Sequence, residues 1–463
     1  MTAALDPHNI QGDILVGFPK KTETFLLFQI PENSVSGFRM SLARLLPKIT
    51  TAQNTIDDRV EIRQHKRHHK TLLTKCGTNV AFTSKGLKKL GMIEDIGDAV
   101  FTAGMLADAQ NLGDTGSTSA SRFEPDWIPE FKNQMDGVIL VAGDGHRTVD
   151  QQVQHIKTMF SVEGSNASID IILKLSGDVR PGAESGHEHF GFNDGISQPA
   201  VDGFDLHPKP GQGNRIRSII LLGRDGDVEK RPPWALDGSF LAFRFLSQRV
   251  PEFNEFLVQN APVTNDPTAS ASDLLGARLV GRWKSGAPIA LKPFQDDPTL
   301  GVDPARNNNF DYEPSQEKCP FAAHSRKMYP RSDLPTQADA SHRIIRRAIT
   351  YGPELSQEEI DSKTTIHDRG LLFVSYQSNI SNGFQFLQKS WANNVDFPPN
   401  KPQKPGFDPL IGQTSDLSPR TMTGGDPGDL EGSLDMTQQW VFSKGGEYFF
   451  APSIPTLRNV LSH

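Results

Sequence analysis

The run GHEHFGFNDGISQPAV, residues 186–201, packs two histidines, two acids, three glycines and a proline into sixteen positions. Such residue types turn a chain, bind a metal or move a proton. Asn193-Asp194-Gly195, followed by Ser197-Gln198-Pro199, is turn chemistry. His187 and His189 are two apart, so on an extended strand they share a face. With Glu188 or Asp194 they would form a two-histidine, one-carboxylate set of the kind that holds non-haem iron. Gly191 and Gly195 flank Asp194 and let the backbone approach a bound group. An aspartate presented there can shuttle a proton. Spacing alone leaves the three readings open.

The elements that position this run come from the rest of the chain. Its 463 residues predict two or three domains, or two packed halves. No apolar run reaches the ~18 residues that a membrane-spanning helix needs. A net charge of −7 argues against a general nucleic-acid binder. The one basic patch, HKRHHK at 65–70, reads as a solvated surface loop. Cys76 and Cys319 allow one bridge at most, and there is no C-x-x-C. The start, MTAALDPHNIQGDIL, lacks a basic segment followed by an apolar one. Either an intracellular protein or one whose targeting segment has been removed is expected.

TFLLFQI (24–30) reads as a buried strand. Residues 34–47 have helical spacing at Phe38, Leu42, Leu45 and Leu46. NVAFT (79–83) is strand-like, and SKGLKKLG follows as a short helix capped by Thr83 or Ser84 and stopped by Gly91. GVILVAG (137–143) and IDIILKLSG (169–177) are strands. Between them, 148–160 places Val149, Val153, Ile156 and Phe160 on one helical face. The order β-α-β, β-α-β is the split, ferredoxin-like pattern, an α+β fold with an antiparallel sheet and helices on one face. The second half repeats it: strand then helix at 238–261, 342–352, a strand at 370–377, and a helix near 381–392. WVFSKGGEYFFAPS (440–453) reads as a hairpin closed around Lys444-Gly445-Gly446. The expected division is 1–200 and 201–463. Long loops rich in Pro, Gly, Asn and Asp at 200–237, 286–340 and 396–434 are expected to wrap a site.

GFNDGISQP resembles the G-x-x-D-G-x-S-Q-P signature of the DyP-type, or dye-decolourising, haem peroxidases. NIQGDIL resembles the opening of the fungal members. CPFAAHSRKMYPR (319–331), HRIIRRAITYG (342–352), RGLLFVSYQSNISNGFQFLQKSWANN (369–394) and GFDPLIGQ (406–413) resemble family segments in family order. The likeness covers nearly the whole chain. It implies two ferredoxin-like halves and one haem b per chain, held mainly by the C-terminal half. It implies an extracellular enzyme, monomer or dimer, that uses hydrogen peroxide to oxidise dyes and phenolic or lignin-derived compounds by single electrons. Two other readings stay beside it: a haem-handling protein with weak turnover, and a non-haem iron enzyme built on His187 and His189.

The resemblance also assigns roles. His324, in AAHSRK, matches the proximal iron ligand, imidazole being a common one in peroxidases. Arg326 is implied to face a haem propionate, or else only to cap a local turn. Asp194 takes the distal acid/base role. A carboxylate with an ordinary pKa near 3.9 stays ionised in acid, so activity best at acidic pH is expected. Arg346 is the expected distal cation, because 346 and 347 point to opposite faces of a strand and the family segment aligns on 346. Ile196, Leu371 and Phe373 are implied to touch the cofactor. Asp408 is the expected acceptor for the second ring nitrogen of His324, with Asp396 as rival. Tyr351 and Trp391 are the expected surface aromatics that carry electrons from bulky substrates.

Overall fold

Runs of Val, Ile, Leu and Phe that are apolar at nearly every position require strands covered on both faces. The computed structural model describes residues 4–463 except 121, 194, 206, 213–218, 226, 264–269, 336, 337 and 339, and it meets that requirement by closing a sheet on itself. The first half contributes β1 (Thr22–Gln29), α1 (Val35–Leu45), α2 (Ala52–His68), β2 (Cys76–Phe82), β3 (Gly137–Gly143), α3 (His146–Met159) and β4 (Asp170–Asp178). Every residue of β3 is buried, as are the first seven of β1. The strands pair antiparallel in the order β4-β1-β3-β2.

The second half contributes β5 (Ser239–Gln248), α4 (Val250–Gln259), α5 (Ala271–Val280), α6 (His324–Met328), β6 (Ile345–Arg346), β7 (Ile349–Tyr351), β8 (Gly370–Gln377) and β9 (Val441–Ala451). Its order is β9-β5-β8-β6, with β7 also on β8. With the short β6 and β7, both paired to β8, counted as one interrupted strand, the order within each half is the same: fourth, first, third, second. Phe82 of β2 pairs with Phe450 of β9 and joins the halves along one edge. At the other edge Thr350 Oγ1 of β7 donates to the Asp178 carbonyl of β4. The described strands therefore wrap into a barrel. Phe25 of β1 meets Phe243 of β5 across its interior, with ring centroids 5.0 Å apart.

Two local expectations change and one is resolved. Residues 441–451 form one strand rather than a hairpin. They stay paired to β5 from Val441↔Gln248 to Ala451↔Ser239, and the extra residue is absorbed as a bulge between Ser443 and Gly445. HKRHHK is not a loop: 65–68 form the last turn of α2, where cations suit the negative end of the helix dipole. The cap of the helix at Ser84–Lys89 is Thr83, whose side chain accepts from Gly86 N. Cys76 and Cys319 are both free thiols. Among the described residues no helix is long and apolar enough to cross a membrane.

Candidate functional site

Alternation along two strands of the second half creates a two-sided sheet. On β5, Phe243 and Phe245 enter the barrel core, while Arg244, Leu246 and Gln248 face a cavity. On β8, Leu372 and Val374 enter the core, while Leu371 and Phe373 face the cavity. The register pairs Leu371 with Leu246, Phe373 with Arg244 and Ser375 with Arg346. Directly opposed residues share a face, so Arg346 joins the same wall. The remaining walls come from α6, from the π-helical turn Leu387–Ala392 and from the loop that carries Ile196. The cavity encloses about 1730 Å³ of free space, its open mouth included.

His324 is the first residue of α6, and its ring lines the cavity. Its Nδ1 lies 2.8 Å from Asp408 Oδ2. Asp408 is fully buried, and its Oδ1 accepts the amides of Leu410 (2.9 Å) and Ile411 (3.0 Å). Burial alone would raise this carboxyl. The facing His324 and the two amides outweigh it and hold Asp408 below the usual carboxylate range. Asp396, the rival, is exposed and pairs with Lys404.

Arg346 is anchored to the loop at 197–198. Its Nη2 donates to Ser197 O (3.2 Å), and its backbone N–H donates to Gln198 Oε1 (3.1 Å). Arg347 points away and donates to the carbonyls of Asp13 (2.9 Å) and Leu15 (2.7 Å). Asp194 lies outside the described residues. Its neighbours Asn193, Gly195, Ile196 and Ser197 all line the cavity. Gly195 has φ +81°, a conformation that other residues adopt only with strain.

The lining is strongly basic. Arg244, Arg282, Arg331, Arg343 and Arg346 contribute five guanidinium groups, of which that of Arg244 is paired with buried Asp114. Glu188 is the one acid among the described lining residues, and its oxygens are taken by the amides of Phe190 (2.8 Å) and Phe192 (2.9 Å) and by Gln248 (2.5 Å). Arg331 Nε is buried with no hydrogen-bond partner among the described residues. Sequence reading passed over Arg331 and Arg343, although both stand in segments quoted above. The signal available was that an anion-bearing ligand needs more than one cation.

Other expectations fail or shift. Arg326 does not line the cavity. Its Nε and Nη2 meet both oxygens of Asp333 (2.6 and 2.8 Å), and its remaining donors reach the carbonyls of Glu313, Ser315 and Cys319. It is a local brace, as the alternative reading had it, because Asp333 is a nearer carboxylate. His187 and His189 do not converge on a metal. One Nε2 faces Lys284 O (3.1 Å) and the other Tyr351 O (2.8 Å), while Glu188 is spent on its own loop. Trp391 is 3 % exposed, stacked on Phe397, and so is no surface residue. Tyr351 is half-buried, donates to Asp368 (3.1 Å) and packs on Phe245, on the side of the sheet away from the cavity.

Comparison with known proteins decides the family. Residues 9–181 match the family model described as the DyP dimeric alpha+beta barrel domain, and residues 190–397 match that of the Dyp-type peroxidase C-terminal region. The chain belongs to the DyP-type peroxidases. A dye-decolorizing peroxidase of Mycetinis scorodonius, msp1, is 43 % identical over 100 % of this chain and 88 % of its own. The structure of an ancestral D-type dye-decolorizing peroxidase is 54 % identical, covers 100 % of both chains and superposes with a TM-score of 0.94. A dye-decolorizing peroxidase in complex with 2,6-dimethoxyphenol is 44 % identical, covers 99 % of this chain and 100 % of its own, and has a TM-score of 0.88. The protein is thus a peroxidase, and peroxidases of this family are haem enzymes. Its two family segments meet between β4 and β5, near the loop that carries Ile196.

Proposed function

We propose that the cavity binds one haem b through His324, and that the peroxidase uses hydrogen peroxide to oxidise dyes and phenolic compounds in one-electron steps. The single observation that carries this reading is the His324–Asp408 hydrogen bond in the cavity wall. A carboxylate on Nδ1 fixes the ring and its tautomer, makes the other nitrogen more basic and leaves Nε2 as the atom for iron. The residues present fit the cofactor in two further ways. Leu246, Leu371, Phe373, Leu387 and Ile411 give apolar walls for a macrocycle. Arg331 and Arg343 give cations for its propionates, in place of Arg326. The names of the relatives and the dimethoxyphenol complex support the substrate class.

Bound haem supplies the redox centre that accepts two oxidising equivalents from peroxide and returns them singly. The protein's own part is proton handling and exclusion. Asp194 takes the proton from one peroxide oxygen and delivers it to the other. Arg346, tied to Ser197 O, presents a fixed cation where negative charge develops on the leaving oxygen. Ile196, Leu371 and Phe373 line the cavity, and with haem bound they would narrow what is left of it so that peroxide enters and large dyes do not. Electrons from large dyes then pass through protein, with Tyr351 as the relay that the family resemblance suggests.

Rapid mixing of the haem-loaded Asp194→Asn variant with peroxide tests the assignment. Haem absorption stays intact and the peroxide reaction slows about 10²–10⁴-fold, the usual worth of a positioned acid/base. An unslowed variant removes Asp194 from the mechanism.

A further inference from the structure

The cavity face of the barrel wall continues beyond the cavity. On β9, Tyr448 and Phe450 lie opposite Ala242 and Phe240 of β5, on the face that carries Arg244 and Leu246. Phe384 lines the cavity. Its ring centroid lies 5.9 Å from that of Phe373 and 6.2 Å from that of Tyr448. Two residues on, Phe450 meets Trp234 edge to face at 5.6 Å. Trp234 lines a second groove at the surface, together with Met92, Ile96 and Phe101. Aromatic rings therefore step from the cavity wall to a half-buried indole at the surface, the link from Tyr448 to Phe450 being two positions along the same face of β9.

Two rings on this line have a proton acceptor already in place. The Tyr448 hydroxyl donates to Asp108 Oδ2 at 2.8 Å, while Asp108 Oδ1 is held by Gln385 (2.7 Å) and Asn111 (3.1 Å). The Trp234 Nε1–H donates to Glu94 Oε2 at 2.8 Å. A phenol or indole that loses an electron becomes a strong acid. A buried one keeps a stable neutral radical only if its proton has somewhere to go. Burial, and then the charge of Asp108, push the Tyr448 phenol well above its ordinary value, so the proton stays until an electron leaves. Tyr351 has an acceptor in Asp368, but its ring lies on the other side of the sheet. Trp391 is buried.

We propose that Trp234 is a second oxidation site, where aromatic amines give up single electrons that travel through Tyr448 to the cavity. This rests on the haem reading above. The groove favours a neutral or cationic aromatic over a sulfonated one, since Glu94, Asp95 and Glu229 outnumber Lys88 along its wall. Each amine loses one electron to oxidised Trp234 and leaves as a radical cation. Trp234 is restored by recovering its proton from Glu94, and Tyr448 likewise from Asp108. Phe450 and Phe384 carry no charge themselves and serve as the medium between stations. Hydrogen peroxide is the terminal oxidant: one molecule takes two electrons from two amines and two protons from solvent and becomes two waters, so two amines are oxidised per peroxide.

Spin trapping of the haem-loaded enzyme after peroxide, without reductant, followed by peptide mass spectrometry, locates the stations. Adducts are expected on Trp234 and Tyr448. In Tyr448→Phe the Trp234 adduct falls at least tenfold. In Trp234→Phe, kcat/KM for a bulky aromatic amine falls about tenfold. Haem absorption and its change on adding peroxide are read on the same samples. If both are normal and Trp234 carries no adduct, or carries an undiminished one in Tyr448→Phe, the route is overturned while the haem reading stands. If haem absorption is missing from the unsubstituted enzyme, both fall.

Discussion

Asp408 and Arg326 show how a residue's role depends on which partner is nearest. Both are buried and ionic, and both stand in segments that resemble a haem site. Asp408 spends one oxygen on two amides and the other on His324, which leaves it a single purpose towards the cavity. Arg326 spends its whole fork on Asp333 and three carbonyls. Removing each has a different consequence. Asp408→Asn keeps the volume but loses the anionic acceptor, and haem affinity falls about 10–100-fold in titrations of the apoprotein. Arg326→Ala leaves buried Asp333 with Lys401 (2.5 Å) as its remaining cation and strips the carbonyls of Glu313, Ser315 and Cys319 of their donor, which lowers unfolding free energy by about 1–3 kcal/mol in denaturant titrations. Its peroxide reaction per bound haem stays at the unsubstituted rate. A tenfold slower reaction would return Arg326 to the site.

At the scale of elements, the approach to β8 hangs on one buried pair. Glu359 accepts from Arg369 Nη2 (2.6 Å), from Ser356 N at a helix start and from the amides of Ile366 and His367. Burial works to raise this carboxyl, and these donors together hold it well below the usual range. A depressed carboxylate stabilises the fold above its unfolded pKa, and that stability is lost as pH falls through the folded value. Glu359→Gln therefore costs about 3–5 kcal/mol near neutrality, and less in strong acid, where the native carboxyl itself protonates. A cost that does not change with pH would contradict the pairing. Elements were the most legible part of the sequence. GVILVAG and GLLFVSYQ match β3 and β8 residue for residue, because apolar runs of that length between turn residues have few other uses. The strand at 441–451 misled because Lys444-Gly445-Gly446 is a strong turn signal, yet β5 offers ten residues of continuous pairing, and that outweighs it. Charge partners were least legible: nothing near Arg326 in sequence shows that Asp333 folds back onto it, or that Trp391 is enclosed by Phe386 and Phe397.

For the molecule as a whole, two copies of one strand order close a barrel, and the loops of the second copy build the cavity. The arrangement also sets a pH window. Burial pushes the His189 imidazole down to about 4, with Tyr351 O as its partner. Its folded value lies below its ordinary one near 6.5, so stability is complete above that value and declines as pH falls towards about 4. The loss is about 3 kcal/mol. Unfolding free energies at neutral pH and near pH 4 should differ by that much, and His189→Gln should flatten the difference. An enzyme expected to work best in acid thus carries a fold that weakens there, so its practical optimum lies where the two trends cross. A variant as acid-sensitive as the parent would clear His189 of the effect. All of this presumes iron porphyrin in the cavity, and the ultraviolet–visible spectrum of the purified protein beside His324→Ala tests that most directly. The account predicts a strong Soret band in the parent that is lost or shifted in the variant. An identical band in both, or none in the parent, would contradict it.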